Sequence, residues 1–369
     1  SLIEGADAVV NASGALQDGL RDNLGAVQDR AIRALIEACE QQGIRRFVQI
    51  SAPGAHAGAD TAFLRTKATA DNALKRSALD WVILRPGLVW ARTAYGGTAL
   101  VRTLSAFPMV QPIVLADSRV QMVDIDDVCA AVEAGLERAA FTKQDIELVE
   151  TETRTLRQVI EMVRAWHGFP AASAEIVLPR ALGGATARVA DLAGWLGWRS
   201  PLRTTSLRAL SNGVIGDGAC WRALSGNPAD SFEDILQRRP ATRQDRVFAR
   251  TQLLLPLIVL TLSAFWIASG AIGLWKLEDA VTAQAGATGS LAPWLVMGGA
   301  LADIALGLAL LWRPTARAAC IGMLALTAAY LFAGTLLTPH LWFDPLGPFV
   351  KTLPAALLAL ACVTLLEER

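Results

Sequence analysis

Four short stretches carry side chains and backbone able to hold and act on a ligand: Asn11-Ala12-Ser13-Gly14, Ser51, Lys67, and Pro86-Gly87-Leu88-Val89. A hydroxyl, an ammonium and two turns built partly of small residues suit a polar ligand that lies close to the backbone. Ser51 closes the apolar run 47–50, and Pro86 and Gly87 follow a second run, 81–84. Both runs are short, β-branched or aromatic, and bounded by Gly and Pro, as the buried strands of a parallel sheet are. Lys67 lies near the start of the amphipathic segment between them, which reads as one crossover helix. A right-handed strand, helix, strand unit puts both strand C-termini on one sheet edge, where open α/β folds bind ligands. Ser51, Lys67, Pro86 and Gly87 are therefore expected to converge on one crevice.

The elements around them follow from pattern. Residues 6–10 read as a strand delivering Asn11 to Gly14, a turn whose small residues let a cofactor approach the backbone. Residues 23–42 are apolar at Leu24, Val27, Ala31, Leu35 and Cys39, a helical period that Gly43 ends. Residues 89–111 read as irregular, with Tyr95-Gly96-Gly97 in a loop suited to lie over a substrate. Residues 120–132 read as a strand and a helix N-terminus, with Asp126 or Asp127 as structural N-cap. A further strand is expected at 146–150, and a helix at 155–167 with Leu156, Val159, Ile160 and Val163 on one face. Residues 170–231, with Trp195, Trp198 and Trp221, read as a small substrate-side lobe, followed by an Arg-rich stretch, 231–250.

With 369 residues, 53% of them hydrophobic, the chain is too apolar for one ordinary soluble domain, yet its first two-thirds look soluble. Four uncharged or nearly uncharged runs, 253–275, 291–312, 316–337 and 349–366, are long enough to cross a bilayer. Arg238, Arg239, Arg243, Arg246 and Arg250 precede the first, Arg313 and Arg317 separate the second from the third, and Glu278 and Asp279 occupy the first loop. That asymmetry predicts a multi-pass protein of the cell (inner) membrane, with the α/β domain, the second loop and the C-terminus cytoplasmic. Asp303 falls near the middle of the second run, where a carboxylate costs a few kcal/mol unless paired, protonated or hydrated. It is expected to face the bundle interior with Thr261 or Thr327 as partner, among the small residues Gly298, Gly299, Ala300 and Gly307. Net charge is +0, with no basic tract beyond a pair in the α/β part, which argues against a nucleic-acid partner. The five cysteines form no C-x-x-C and read as buried thiols. Three scattered histidines predict no metal site.

At Ser51, Lys67 and Pro86-Gly87 the chain resembles the short-chain dehydrogenase/reductase superfamily, in particular its atypical NmrA-like and complex-I-associated branch. That family has a Ser at the end of this strand, a Tyr-x-x-x-Lys on the next helix and a Pro-Gly after the next strand. Here the tyrosine position is Phe63, which has no proton to give. The resemblance implies that Ser51 hydrogen-bonds substrate or a water, and that Lys67 binds the nicotinamide ribose. It further implies that Asn11 to Gly14 meets the cofactor backbone and that Pro86, Gly87, Leu88 and Val89 line the nicotinamide side. The cofactor would be NAD or NADP. No G-x-x-G-x-x-G occurs, so the polypeptide reads as an N-terminally truncated piece lacking the first strands and their pyrophosphate cradle. The final third resembles the DoxX-like membrane domain at residues 299–307 and 342–348.

The expected fold is thus a Rossmann-like, doubly wound parallel sheet followed by an all-α four-helix transmembrane bundle. Its domains are expected at 1–150, 151–250 and 251–369. The expected function is a membrane-anchored NAD(P)(H)-binding oxidoreductase-like protein acting on a membrane-soluble acceptor such as a quinone. The alternative is a non-catalytic dinucleotide-binding sensor or assembly subunit, because fold does not fix function.

Overall fold

The computed structural model describes residues 3–19, 23–198, 200, 202–345 and 347–366. Ser1, and Leu346 of the motif before the last span, lie outside them. In order, the elements are β1 (Ala8–Asn11), a π-helical turn (Ala26–Arg30) running into α1 (Ala31–Gln42), β2 (Arg46–Ile50), α2 (Ala62–Arg76), β3 (Asp80–Pro86) and β4 (Leu88–Trp90). Then come α3 (Gly96–Ser105), β5 (Val110–Ile113), β6 (Arg119–Val120), β7 (Met122–Asp124), α4 (Ile125–Glu137), β8 (Gln144–Leu148), β9 (Arg154–Thr155) and α5 (Leu156–Trp166). They are followed by β10 (Ala174–Val177), α6 (Arg180–Trp195), α7 (Thr204–Ser211), α8 (Ala219–Ser225) and α9 (Phe232–Arg238). The apolar part consists of α10 (Arg243–Trp275), α11 (Leu277–Thr288), α12 (Ala292–Leu311), α13 (Arg313–Leu337) and α14 (Pro348–Leu366).

Strands β1, β2, β3 and β8 form a parallel sheet in that order. Because side chains alternate along a strand, Phe47, Trp81 and Ile83 pack on one face with Ile32, Ile36 and Cys39 of α1 and Leu74 of α2. Val48, Val82 and Leu84 point to the other, against Val128, Ala131 and Ala134 of α4. Helices thus cover both faces, the doubly wound arrangement, and the C-terminal ends of β1, β2 and β3 lie along one edge.

The chain divides into two compact units, one of residues 1–195 and 199–250, the other of 196–198 and 251–369. The expected boundary at 150 is not a break. Leu156, Val159, Ile160 and Val163 of α5 and Phe232 and Ile235 of α9 share a core with Trp90, Leu100 and Ile113. Amphipathic α5, capped by a Thr155–Gln158 box, buries its face against elements from both sides of residue 150.

Three local expectations are corrected. Residues 89–111 contain the rest of β4, all of α3 and the start of β5; apolar Leu100 and Val101 supply the helix's inner face. The N-cap of α4 is Asp124, whose side chain accepts from the Asp126 amide, because the strand ends there. Glu278 and Asp279 do lie in the connection between α10 and α12, in the first turn of α11, where carboxylates favour the helix dipole. Among the cysteines Cys39, Cys320 and Cys362 are buried, whereas Cys129 is exposed on α4.

Among the described residues, α10, α12, α13 and α14 are the four helices long and apolar enough to cross a membrane. In their most apolar windows only 17–28% of residues are buried. Leu257, Leu308, Ile321, Phe332 and Leu357 point outward, the pattern of helices whose solvent is hydrocarbon.

Candidate functional site at the sheet edge

The edge gathers the expected residues through short-range geometry. Asn11, last in β1, donates from Nδ2 to Gln49 Oε1 of β2 at 2.7 Å. Its Oδ1 accepts from the Ser13 amide at 3.1 Å and from Ser13 Oγ at 2.6 Å. That Asx turn leaves Ala12, Ser13 and Gly14 exposed. Gly87 follows β3, donates to Leu148 O at 2.9 Å, and passes so close to the next strand that a Cβ there would meet Gln121 O at 2.5 Å. Only glycine fits, which sets the path of the chain from β3 into β4.

Lys67 ties the two strand-end loops together. Its buried Nζ donates to Ser13 O at 3.0 Å and Ile50 O at 2.8 Å. Among the described residues these are its two acceptors, so one of its three N–H bonds has none there. Burial, opposed by the nearby Asp71 carboxylate, brings its pKa down to about 8. Phe63 lies one turn earlier on α2, half-buried, at the position the resemblance assigns to a proton donor.

Ser51 stands differently from the expected substrate contact. Its Oγ donates to Asp71 Oδ2 at 2.5 Å. The same carboxylate oxygen accepts from Arg85 at 2.8 Å, and Arg85 reaches Asp145 of β8 at 2.6 Å. Lys75 closes the chain on Asp145 at 2.6 Å. Burial raises the Asp71 carboxyl above the usual range, against the pull of Arg85 and the Ser51 hydroxyl. For Asp145, bonds and charge from Arg85 and Lys75 outweigh the burial that raises it, and its pKa is lowered. This network borders a polar cleft of about 480 Å³ lined by His56, Ala68, Asp71, Lys75, Arg85 and Asp145. Its cations are already matched by its carboxylates, so it is no ready anion site. Sequence reasoning missed Asp71 and Arg85. The signal was present as Lys67-x-x-x-Asp71, one helical turn that puts both on one face of α2.

Residues 1–132 match the family model described as NAD(P)H-binding, and residues 263–360 that of the DoxX-like family. The chain joins an NAD(P)H-binding domain to a DoxX-like one. Its cofactor class is therefore NAD or NADP. The exposed turn at Ala12 to Gly14 and the Lys67 ammonium beside it lie together at this end of the sheet. Similar solved structures include the Bordetella bronchiseptica enzyme WbmG in complex with NAD, 16% identical over 63% of this chain and 69% of that one, TM-score 0.46. Others are the Bacillus anthracis dTDP-glucose 4,6-dehydratase with NAD (13%, 63% and 70%, TM-score 0.46) and an Agrobacterium tumefaciens short-chain dehydrogenase/reductase superfamily protein with bound NAD (15%, 68% and 82%, TM-score 0.45). No curated protein matches the chain by sequence.

In the DoxX-like region Asp303 faces the bundle interior, but its partners are neither Thr261 nor Thr327. Its Oδ2 accepts from Ser269 Oγ of α10 at 2.9 Å and its Oδ1 from Tyr330 of α13 at 3.2 Å. Thr327 instead bonds the Met323 carbonyl of its own helix at 2.7 Å, the usual refuge of a threonine in a span. Close approach of the helices makes the pairing possible: a Cβ at Gly270 would collide with the Ala300 carbonyl, and one at Gly299 would stand 2.7 Å from the Tyr330 hydroxyl.

Proposed function

We propose that the protein is a membrane-anchored, NAD(P)H-dependent oxidoreductase whose hydride acceptor is a membrane-soluble molecule of the quinone class. The carrying observation is that, among the described residues, neither position that the resemblance pairs with Lys67 offers a free hydroxyl. Phe63 has no hydroxyl, and the Ser51 hydroxyl is directed to Asp71. Carbonyl reduction needs a proton at the oxygen within about 3 Å. A quinone does not, because hydride addition gives a hydroquinone anion that takes its proton from water.

When bound, the cofactor supplies the hydride. Lys67 holds the ribose hydroxyls, the Asn11-Ser13 turn keeps the backbone of residues 12–14 open, and Gly87 lets the strand lie close. Four apolar helices in the same chain tether the cofactor domain to a bilayer, and the arginine flanks favour the cytoplasmic face of the inner membrane. The second reading, a non-catalytic dinucleotide sensor or assembly subunit, is favoured by the Ser51–Asp71 bond, since a serine held by a buried carboxylate has a sufficient structural reason to be present.

The test assays the membrane-embedded protein and its Phe63→Tyr variant for NADH and NADPH oxidation with soluble quinones and with a panel of ketones. Quinone reduction that is insensitive to Phe63→Tyr supports the oxidoreductase. Ketone turnover by the native protein overturns the argument, and cofactor binding without turnover on either panel selects the sensor.

A further inference from the structure

Helix α6 packs the wrong way round for a helix in a water-soluble unit. Such helices bury large apolar residues and expose small or polar ones. Here Gly183, Ala187 and Gly194 face inward, so closely that a Cβ at Gly183 would stand 2.6 Å from Val114 and one at Gly194 2.8 Å from Arg203. Leu182, Val189, Leu192 and Trp195 turn outward, with exposures of 54, 66, 67 and 61%. With exposed Ala185 they recur every three or four residues and share one face. The charges follow the same division. Asp191, the helix's one acidic residue, is turned to Gln17 and Thr204, which donate to it at 2.8 and 2.7 Å, whereas Arg180 and Arg188 are exposed.

We infer that α6 is an interfacial helix, its outward face of Leu182, Val189, Leu192 and Trp195 seated in the headgroup and upper acyl region of an anionic bilayer leaflet. An apolar face bordered by arginines and a tryptophan is the composition of helices that lie in that layer, and the arginines complement anionic headgroups. Continuity supplies the location. Residues 196–198, immediately after α6, belong to the DoxX-like unit. Leu196 O accepts from the Arg313 amide at 2.9 Å, and Trp198 Nε1 donates to Leu311 O at 2.7 Å, at the turn joining α12 to α13. The three residues that follow the helix thus lie at the ends of two spans. A second copy or another protein would offer no such reason for the exposed arginines beside the apolar face.

The inference rests on the reading of α10, α12, α13 and α14 as membrane spans, and its test separates the two. The full chain, with Cys129→Ser and Cys220→Ser, is labelled with an environment-sensitive fluorophore at Leu192→Cys or, as a control in α13, at Phe332→Cys, a site 71% exposed. It is reconstituted in vesicles of phosphatidylglycerol and phosphatidylcholine with shallow-brominated acyl chains. Label at 192 should be quenched at least twofold, with Arg180→Glu plus Arg188→Glu removing most of that quenching. Quenching at 332 with none at 192 overturns the inference. Shielding of 192 from both brominated lipid and aqueous iodide assigns the face to a protein partner and equally overturns it. Absence of quenching at both sites rejects the membrane reading, and the inference with it.

Discussion

Ser51 Oγ lies 2.5 Å from Asp71 Oδ2 and donates to it, and Arg85 holds the same oxygen from the other side at 2.8 Å. The serine thereby satisfies Oδ2 of a buried carboxylate, whose Oδ1 has no hydrogen-bond partner among the described residues, instead of pointing a free hydroxyl at a substrate. Two consequences follow for variants. Asp71→Ala removes one of the two carboxylates that Arg85 bonds, leaving it Asp145, and should destabilise the first unit by about 1–3 kcal/mol. Ser51→Ala removes one hydrogen bond, costing about 1 kcal/mol, and should leave NAD(P)H affinity within about twofold. Thermal unfolding and fluorescence titration of the two variants measure both effects; a large affinity loss in Ser51→Ala would restore the serine to the ligand.

On the proposed role, Lys67 should make cofactor binding pH-dependent. Its pKa is lowered to about 8 from an ordinary value of 10.5 by burial, so the cost of burying its charge is present below about pH 8 and is relieved as pH rises. The ammonium offered to the ribose is lost over the same range. NAD(P)H affinity should therefore fall as pH climbs through about 8. Lys67→Met should weaken binding roughly tenfold, equivalent to about 1.4 kcal/mol, and abolish that pH profile.

Asp303 should behave as a junction of three helices. Asp303→Leu leaves the Ser269 and Tyr330 hydroxyls without their acceptor. It should cost roughly 1–2 kcal/mol, with Tyr330→Phe nearer 0.6 kcal/mol, as for hydrogen bonds between spans. Asp303→Asn keeps an acceptor and should be milder than leucine. Thermal aggregation of detergent-solubilised protein ranks the three; equal stability in all would show that the contacts contribute nothing.

His167 gives the first unit an acid limit. It is fully buried, with Nδ1 3.0 Å from Ser105 Oγ, and burial, aided by the charge of Arg102, lowers its pKa to about 4 from 6.5. The unfolded chain binds the proton more readily, so this contribution is complete above about pH 6.5 and is lost as pH falls toward 4. The effect is roughly 3 kcal/mol. A His167→Asn variant should show a flatter dependence of melting temperature on pH across that window.

The sequence by itself determined whatever depends on local pattern. Short β-branched and aromatic runs with Gly and Pro at their ends are compatible with few structures other than buried parallel strands, so β2, β3 and the crossover α2 were legible. So were Lys67 at the sheet edge and the four spans, whose length and lack of charge answer to one physical constraint, the thickness of hydrocarbon. What required tertiary structure was the pairing of side chains far apart in the chain. Nothing local in Ser51 says that its hydroxyl goes to Asp71, because that choice is made where β2, α2 and β3 meet around the Arg85 charge. Nothing in α12 says that Asp303 takes Ser269 and Tyr330, since helix rotation in a bundle is set by which small residues admit a neighbouring backbone. The outward turn of α6 was likewise unreadable from its composition: a helix bearing both Gly and Leu faces can bury either, and packing against Val114 and Arg203 selected the glycines.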